Sequence, residues 1–254
     1  MDAVTQKDIA RIVAGISKFA KSAGKGGKYA KCVLGVSGGV DSAACLALCA
    51  KAVGPENIIA VFMPARFTPT DDGEDAKSLC KAFGVKLEEI GMEKPLEAAS
   101  GAFGGAGLDK KAKGNILARL RMACLYAQAN RHAGIVVGTG DKSEIEVGYF
   151  TKYGDGGCDF LPIANYYKTQ VRQIALLLGV EAKIANKPSS PRLWEGHQAT
   201  EEIGHDYEKI DLILELLEKG MEREAAGKFG AETVSKIKKL IAAGMHKRAM
   251  PPAI

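Results

Sequence analysis

The chain reads as an α/β protein: a parallel sheet flanked by helices, with a mostly helical C-terminal part. Three observations predict it. Short apolar runs alternate with helical periods through the first half, and that alternation implies parallel strands joined by right-handed crossovers. A Gly-rich turn at residues 35–42 links the first strand to the helix after it. Of 254 residues, 46% are apolar, enough for one globular core over residues 1–254 and too many for a disordered chain. A ligand-binding turn at the end of the first strand makes the arrangement Rossmann-like.

The elements follow in order. Ile9, Ile12, Val13, Ile16 and Phe19 recur at helical spacing over residues 5–22. Gly24, Gly26 and Gly27 end that helix. Residues 32–36 form a compact apolar strand, and an Ala/Leu-rich helix runs from about residue 42 to 53. Residues 58–62 (IIAVF) read as the second strand. Thr70 is placed to cap a helix whose first turn carries Asp71, Asp72 and Glu74, acids that suit the helix dipole. Residues 85–90 give a third, less buried strand, and 101–107 a flexible loop. A long helix over residues 110–132 precedes a fourth strand at 135–137. Beyond it, 148–165 and 186–204 read as loops, and 168–178, 206–219 and 231–243 as helices. The helical C-terminal third is expected to lie beside the sheet, not to form a second domain.

Several function classes drop out. No apolar run approaches the ~20 residues that span a bilayer. The N-terminal segment is amphipathic, carries Asp2 and Asp8 and lacks an apolar signal core, so the expected location is cytoplasmic. Cys32, Cys45, Cys49, Cys80, Cys124 and Cys158 form no CxxC pair and read as reduced, buried thiols. His132, His197, His205 and His246 lack metal-ligand spacing. The net charge of +5 is spread out, with no dense Lys/Arg tract among aromatics. That balance suits a polyanionic small substrate, and no nucleic-acid or membrane partner is expected.

The segment with the most chemistry is Gly35-Val36-Ser37-Gly38-Gly39-Val40-Asp41-Ser42. Glycines let a backbone turn sharply and approach a phosphate, and the free amides of the helix start then face the anion. The segment lacks the Gly-Lys-Ser/Thr ending of a Walker loop and the GxGxxG of a dinucleotide fingerprint. Its distinguishing residue is Asp41. A carboxylate beside a phosphate is repulsive unless a cation lies between them, so Asp41 points to Mg²⁺ bridging to phosphate oxygens.

This hexapeptide, SGGVDS, resembles the pyrophosphate loop of the adenine-nucleotide α-hydrolase-like superfamily, whose members split ATP between the α and β phosphates and adenylate a substrate. Three further segments choose among its branches: GNILARLRM at 114–122, GTGDKSEIEVGYFTKYGDGGCDF at 138–160 and PIANYYKTQVRQ at 162–173. Together they resemble the NAD synthetase family, from about residue 10 to His246-Lys247-Arg248. The resemblance implies ATP binding by residues 35–42, Thr139, Lys168 and Ser190. It implies deamido-NAD (nicotinic acid adenine dinucleotide) binding by Arg119, Lys152, Asp159, His246 and Lys247. It also implies Mg²⁺ on Asp41 and Glu144, and a homodimer. Read without it, Glu144 is either a metal ligand or a helix-start acid on the dipole. Arg119 and Arg121 lie two apart on a helix, so one would hold a phosphate and the other serve the surface. Trp194 either caps a lid or packs. The chain departs from the family near Arg192 and over 199–201, where acidic residues are usual.

The activity implied is amidation of a carboxylate through an acyl-adenylate, giving NAD, AMP and pyrophosphate. No side-chain nucleophile is needed. Ammonia is the expected nitrogen donor, because these 254 residues leave no room for an amidase domain. The alternatives are a tRNA-thiolating enzyme, which would show a catalytic Cys pair or an RNA-binding module, and a non-catalytic nucleotide-binding protein, which would have lost the SGGVDS loop.

Overall fold

The computed structural model describes residues 2–253. The chain opens with α1 (Gln6–Ala23), β1 (Lys31–Gly35), α2 (Val40–Val53) and β2 (Ile58–Phe62). It continues through α3 (Thr70–Ala82), β3 (Leu87–Glu89), α4 (Glu93–Ala102), α5 (Lys110–His132) and β4 (Gly134–Val136). Short helices α6 (Lys142–Val147), α7 (Lys168–Leu177), α8 (Ala182–Ala185) and α9 (Ala199–Ile203) follow. The C-terminal part holds α10 (Tyr207–Glu218), α11 (Glu222–Phe229) and α12 (Ala231–Gly244).

The four strands form a parallel sheet in the order β3-β2-β1-β4. The chain steps outward from β1 to β2 to β3, then returns to pair β4 on the other side of β1. The carboxyl end of β1 is therefore the point where the winding reverses, and there an open α/β sheet leaves a crevice for a ligand. The Gly-rich loop lies at that end.

The sheet is covered on both faces. The main core puts Leu34, Ala60 and Phe62 of the strands against Ile12 and Ile16 of α1, Leu46 and Leu48 of α2 and Ile174 of α7. The other face packs Val61 on Leu117 of α5, and Val33 and Val136 on Ala129. A separate core, built from Ile210, Ile213 and Leu214 of α10 with Val234 and Ile237 of α12, takes in Val147 and Tyr167. The C-terminal helices thus dock through α6 and α7 at the crevice end instead of on the sheet itself.

Local expectations hold with small shifts. Thr70 is the first residue of α3, not its cap; Pro69 holds the cap position and no side chain caps that end. Part of the 186–204 segment read as a loop is helical, in α9, and α4, α6, α8 and α11 were not assigned from periodicity. Residue 137 lies just past β4 and makes a lone parallel bridge to Phe160, so the 148–165 stretch touches the sheet edge at one point. Among the described residues no helix is long and apolar enough to cross a membrane.

Candidate active site

The loop after β1 is rigid. Gly39 caps α2 in an extended conformation. The Ser42 hydroxyl donates to the Gly39 carbonyl at 3.0 Å and accepts the Ser37 amide at 3.1 Å. Gly38 sits at φ +77, and a Cβ there would lie 2.4 Å from the carbonyl oxygen of Asp72. Only glycine fits that left-handed, crowded position. The first amides of α2 have no helical partners and are free for an anion.

Behind the loop stands a cluster of three carboxylates around one ammonium. Asp41 comes from the first turn of α2, Asp141 caps α6, and Glu144 lies in its first turn. Asp141 accepts the Glu144 amide at 2.8 Å, which fixes the two side by side. Lys168, the first residue of α7, is fully buried and places Nζ 2.6 Å from Asp41 Oδ2, 2.8 Å from Asp141 Oδ2 and 2.9 Å from Glu144 Oε1. Its amide donates to Ser143 Oγ at 2.9 Å, and that hydroxyl donates to the buried Asp211, which also accepts the Thr169 amide at 2.9 Å.

With all three carboxylates ionised, one shared ammonium leaves two net negative charges. Burial pushes the Asp141 carboxyl up to about 6 and drives Glu144 well above its usual range; neighbouring carboxylates add to both, and Lys168 opposes. Burial pulls the Lys168 ammonium down, but the three carboxylates outweigh it and hold it above the ordinary lysine range. Asp41 Oδ1 is buried with no hydrogen-bond partner. Ligand oxygens of Asp41, Asp141 and Glu144 lie within 4.8 Å of one another. An all-carboxylate set with a deficit of two positive charges fits a hard divalent cation.

The cluster opens into a cavity of about 700 Å³. Gly35, Val36, Ser37, Asp41, Ser42, Thr139, Glu144 and Ser190 line one end of it, and Arg119, Lys152, His246 and Lys247 also line it. The last four meet through backbone carbonyls. Arg119 donates to Lys152 O at 3.3 Å and Lys152 Nζ to His246 O at 2.8 Å. Lys247 Nζ donates to Gly148 O and Phe150 O at 2.7 and 2.8 Å. Residues more than a hundred positions apart thus form one cationic wall.

Five expected site residues are not among those that line the cavity: Gly38, Gly39 and Val40 of the loop, Asp159 and Lys168. Asp159 does not line the cavity. Its carboxylate accepts the Tyr126 hydroxyl at 3.0 Å and the Val136 amide at 2.7 Å, tying the following loop to β4. Lys168 also lies outside the lining, behind Asp41 and Glu144, with its charge directed at carboxylates of the protein.

Other residues went unassigned in the sequence. Arg119 and Arg121 both line the cavity, and Arg121 is the more buried of the two. Its guanidinium donates to Met63 O at 3.2 Å and Arg192 O at 3.4 Å, and burial brings it down to about 10. Asp141 had a legible signal, since Asp-Lys-Ser-Glu has the spacing of a helix cap followed by a first-turn acid. Trp194 stacks on His197 with ring centroids 3.4 Å apart and leans on Gly114, so it is wall and packing at once. The Ser190 hydroxyl donates to His197 O, closing its loop on itself.

Comparison with known proteins identifies the family. A family model described as NAD synthase matches residues 9–251. The NH(3)-dependent NAD(+) synthetase of Hyperthermus butylicus is 47% identical over 226 residues, covering 87% of this chain and 82% of that one. The solved NMN synthetase of Francisella tularensis superposes with a TM-score of 0.88 at 29% identity, covering 100% of this chain and 99% of that one. The NH3-dependent NAD synthetase of Campylobacter jejuni, solved with a nitrate ion, gives 0.83 at 26% identity and covers 99% of this chain and 100% of that one. With the family's loop, its second-half segments and its fold all present in one chain, the protein belongs to the NAD synthase family.

Proposed function

We propose that this chain is the ammonia-dependent synthetase, acting as one domain over residues 1–254, and that the residues gathered above carry the reaction. The enzyme is a ligase that forms a C–N bond at the last step of NAD biosynthesis, with ATP as co-substrate. The observation that carries the residue assignment is the single cavity, which joins the SGGVDS loop and the carboxylate cluster to the cationic wall.

A carboxylate does not condense with ammonia at a useful rate, because its oxygen leaves poorly. The deamido-NAD carboxylate therefore attacks the α-phosphorus of ATP, and the P–O bond to the β-phosphate breaks. Pyrophosphate leaves into the first amides of α2, at residues 40–42, preorganised donors that need no rearrangement as charge develops. Arg119, Lys152 and Lys247 hold the diphosphate of the dinucleotide, with His246 beside them. Thr139 and Ser190 offer hydroxyls to ATP. Ammonia then adds to the acyl carbon, the C–O bond to AMP breaks, and a proton passes to solvent. Asp41 and Glu144 would hold Mg²⁺, which supplies charge neutralisation on the leaving pyrophosphate. Positioning and electrostatics account for the catalysis without a covalent enzyme intermediate.

ATP and free ammonia fit a cytoplasmic enzyme. A homodimer is supported by apolar side chains left exposed beside the cationic wall, Tyr153 and Met245.

The test mixes protein, ATP, Mg²⁺, ammonium and deamido-NAD. NAD with stoichiometric AMP is expected; ADP, or no product, would overturn the reading. Repeating the assay with glutamine in place of ammonium examines the donor, and turnover on glutamine alone would contradict ammonia dependence. The likeness to the Francisella NMN synthetase supports a second reading, the same chemistry on the mononucleotide. Parallel assays with nicotinic acid mononucleotide decide it: a higher kcat/KM there displaces the dinucleotide.

A further inference from the structure

We infer that Asp211 is a positioning residue of the adenylation site: one buried carboxylate that clamps the starts of α6 and α7 and so fixes where Asp141, Glu144 and Lys168 stand. The inference rests on the proposed reading of this cavity as the place where ATP and deamido-NAD react. Asp211 belongs to α10, in the helical core and not beside the sheet, and it is fully buried. Three donors meet it. Its Oδ1 accepts the Ser143 hydroxyl, and its Oδ2 accepts the Thr169 amide at 2.9 Å and the Thr169 hydroxyl at 2.8 Å. None of the three is a charged group.

Both partners sit where the site residues branch off. Ser143 lies in the first turn of α6, between Asp141 and Glu144, and its hydroxyl oxygen accepts the Lys168 amide at 2.9 Å. Thr169 follows Lys168 in the first turn of α7. First-turn amides have no partner within their helix, and the dipole favours a carboxylate beside them. Asp211 supplies that group to α7 directly and reaches α6 through Ser143, so the two helix starts share one anchor. A buried carboxylate is stable only with its oxygens hydrogen-bonded, which makes the spacing strict. The same helix adds a second hold. Tyr207, one turn before Asp211, sets its ring 5.1 Å from the Lys168 ammonium. Helix α10 thus grips Lys168 at its backbone end and at its side-chain end. Without Asp211 the starts of α6 and α7 are free to shift apart, and a displacement of about 1 Å can cost on the order of a hundredfold in rate.

The experiment measures steady-state NAD formation from deamido-NAD with ATP, Mg²⁺ and ammonium, well below the Tm of each variant. Asp211→Ala is expected to lower kcat about tenfold or more and to leave KM for deamido-NAD within about twofold, because Arg119, Lys152 and Lys247 keep their own hydrogen bonds. Asp211→Asn keeps an oxygen for Thr169 and turns its amide to Ser143 Oγ, so it is expected to restore most of kcat. Ser143→Ala removes only the hydroxyl between Asp211 and the Lys168 amide. A severalfold fall in kcat is expected there, and it reports even if Asp211→Ala does not fold. The loss on removing Asp211 is expected to be smaller in the Ser143→Ala background, since both act on one link. Ile213→Val, in the same helical core, controls for stability: Tm falls and kcat is expected to hold. Wild-type kcat in Asp211→Ala or in Ser143→Ala would overturn the inference. So would an Asn variant as poor as Ala, additive losses in the double variant, or an equal fall in Ile213→Val. A wild type that makes no NAD would instead remove the reading of the cavity, and this inference with it.

Discussion

Single residues in the phosphate loop are held by geometry that leaves little choice. Gly38 combines φ +77 with a backbone oxygen 2.4 Å from where a Cβ would stand. Gly38→Ala must adopt a left-handed conformation and push α3 away. The expected result is a loss of about 2 kcal/mol in chemical denaturation and a raised KM for ATP, since backbone strain of this kind costs of order 1–3 kcal/mol. A neutral variant would show that the loop relaxes freely. Asp41 is different, because its value lies in charge. Asp41→Ala removes the carboxylate that faces both Lys168 and the cavity. Pyrophosphate release on mixing ATP, Mg²⁺ and deamido-NAD is expected to disappear while the far-UV spectrum is unchanged. Retained adenylation would remove the metal role assigned to Asp41.

At the level of elements, the cationic wall depends on two backbones that cross in contact. A Cβ on Gly244, at the end of α12, would lie 2.7 Å from the Cα of Gly148, at the end of α6. Gly244→Ala is therefore expected to lift the following turn, with His246 and Lys247, away from the cavity. It should raise KM for deamido-NAD severalfold and leave KM for ATP nearly unchanged, a split visible in steady-state kinetics. The loop over residues 187–198 depends on ion pairs to α3. Arg192 contacts Asp72 at 2.7 Å, and Lys187 reaches Asp72 and Asp75 at 2.7 and 2.6 Å. Burial pushes the Asp75 carboxyl up, but Lys187 and Lys183 outweigh it and hold it below the usual 3.8. A carboxyl lowered by folding contributes stability that is present above its unfolded value and lost as pH falls through its folded one. Hydrogen exchange in 187–198 is expected to accelerate below about pH 4, ahead of the β1–β2 core. Simultaneous loss of protection in both would show that these pairs do not hold the loop separately.

For the molecule as a whole, the reversal of winding at β1 places the phosphate loop at one end of the sheet, and the α10–α12 core docks there through α6 and α7. The cavity proposed to be catalytic lies at the seam between these two cores. Tyr153 and Met245, next in sequence to the lining residues Lys152 and His246, are 55% and 61% exposed, apolar surface that the proposed second copy would cover. Light scattering after size exclusion is expected to give twice the chain mass of 26.8 kDa. A monomer at micromolar concentration would require another explanation for that surface.

Much of this was legible before any tertiary contact. Periodicity placed α1, α5 and β2 to within a residue, because their apolar patterns are strong and local. The SGGVDS loop pointed to the chemistry proposed for it, because glycine, amide and carboxylate stand together within six consecutive residues. Short helices such as α8 and α9 were not legible, since so few residues carry no clear period. The sequence by itself determined the family and the α/β order, and it singled out the loop proposed to couple ATP. Only the tertiary structure decided that Asp141 joins Asp41 and Glu144, that Arg121 faces the cavity with Arg119, and that Lys168 stands behind the carboxylates while Asp159 ties a loop to β4. The reason is physical: each of these facts depends on which side of a buried group the cavity lies. That is set by how α6, α7 and the C-terminal core dock, through contacts between residues far apart in the chain.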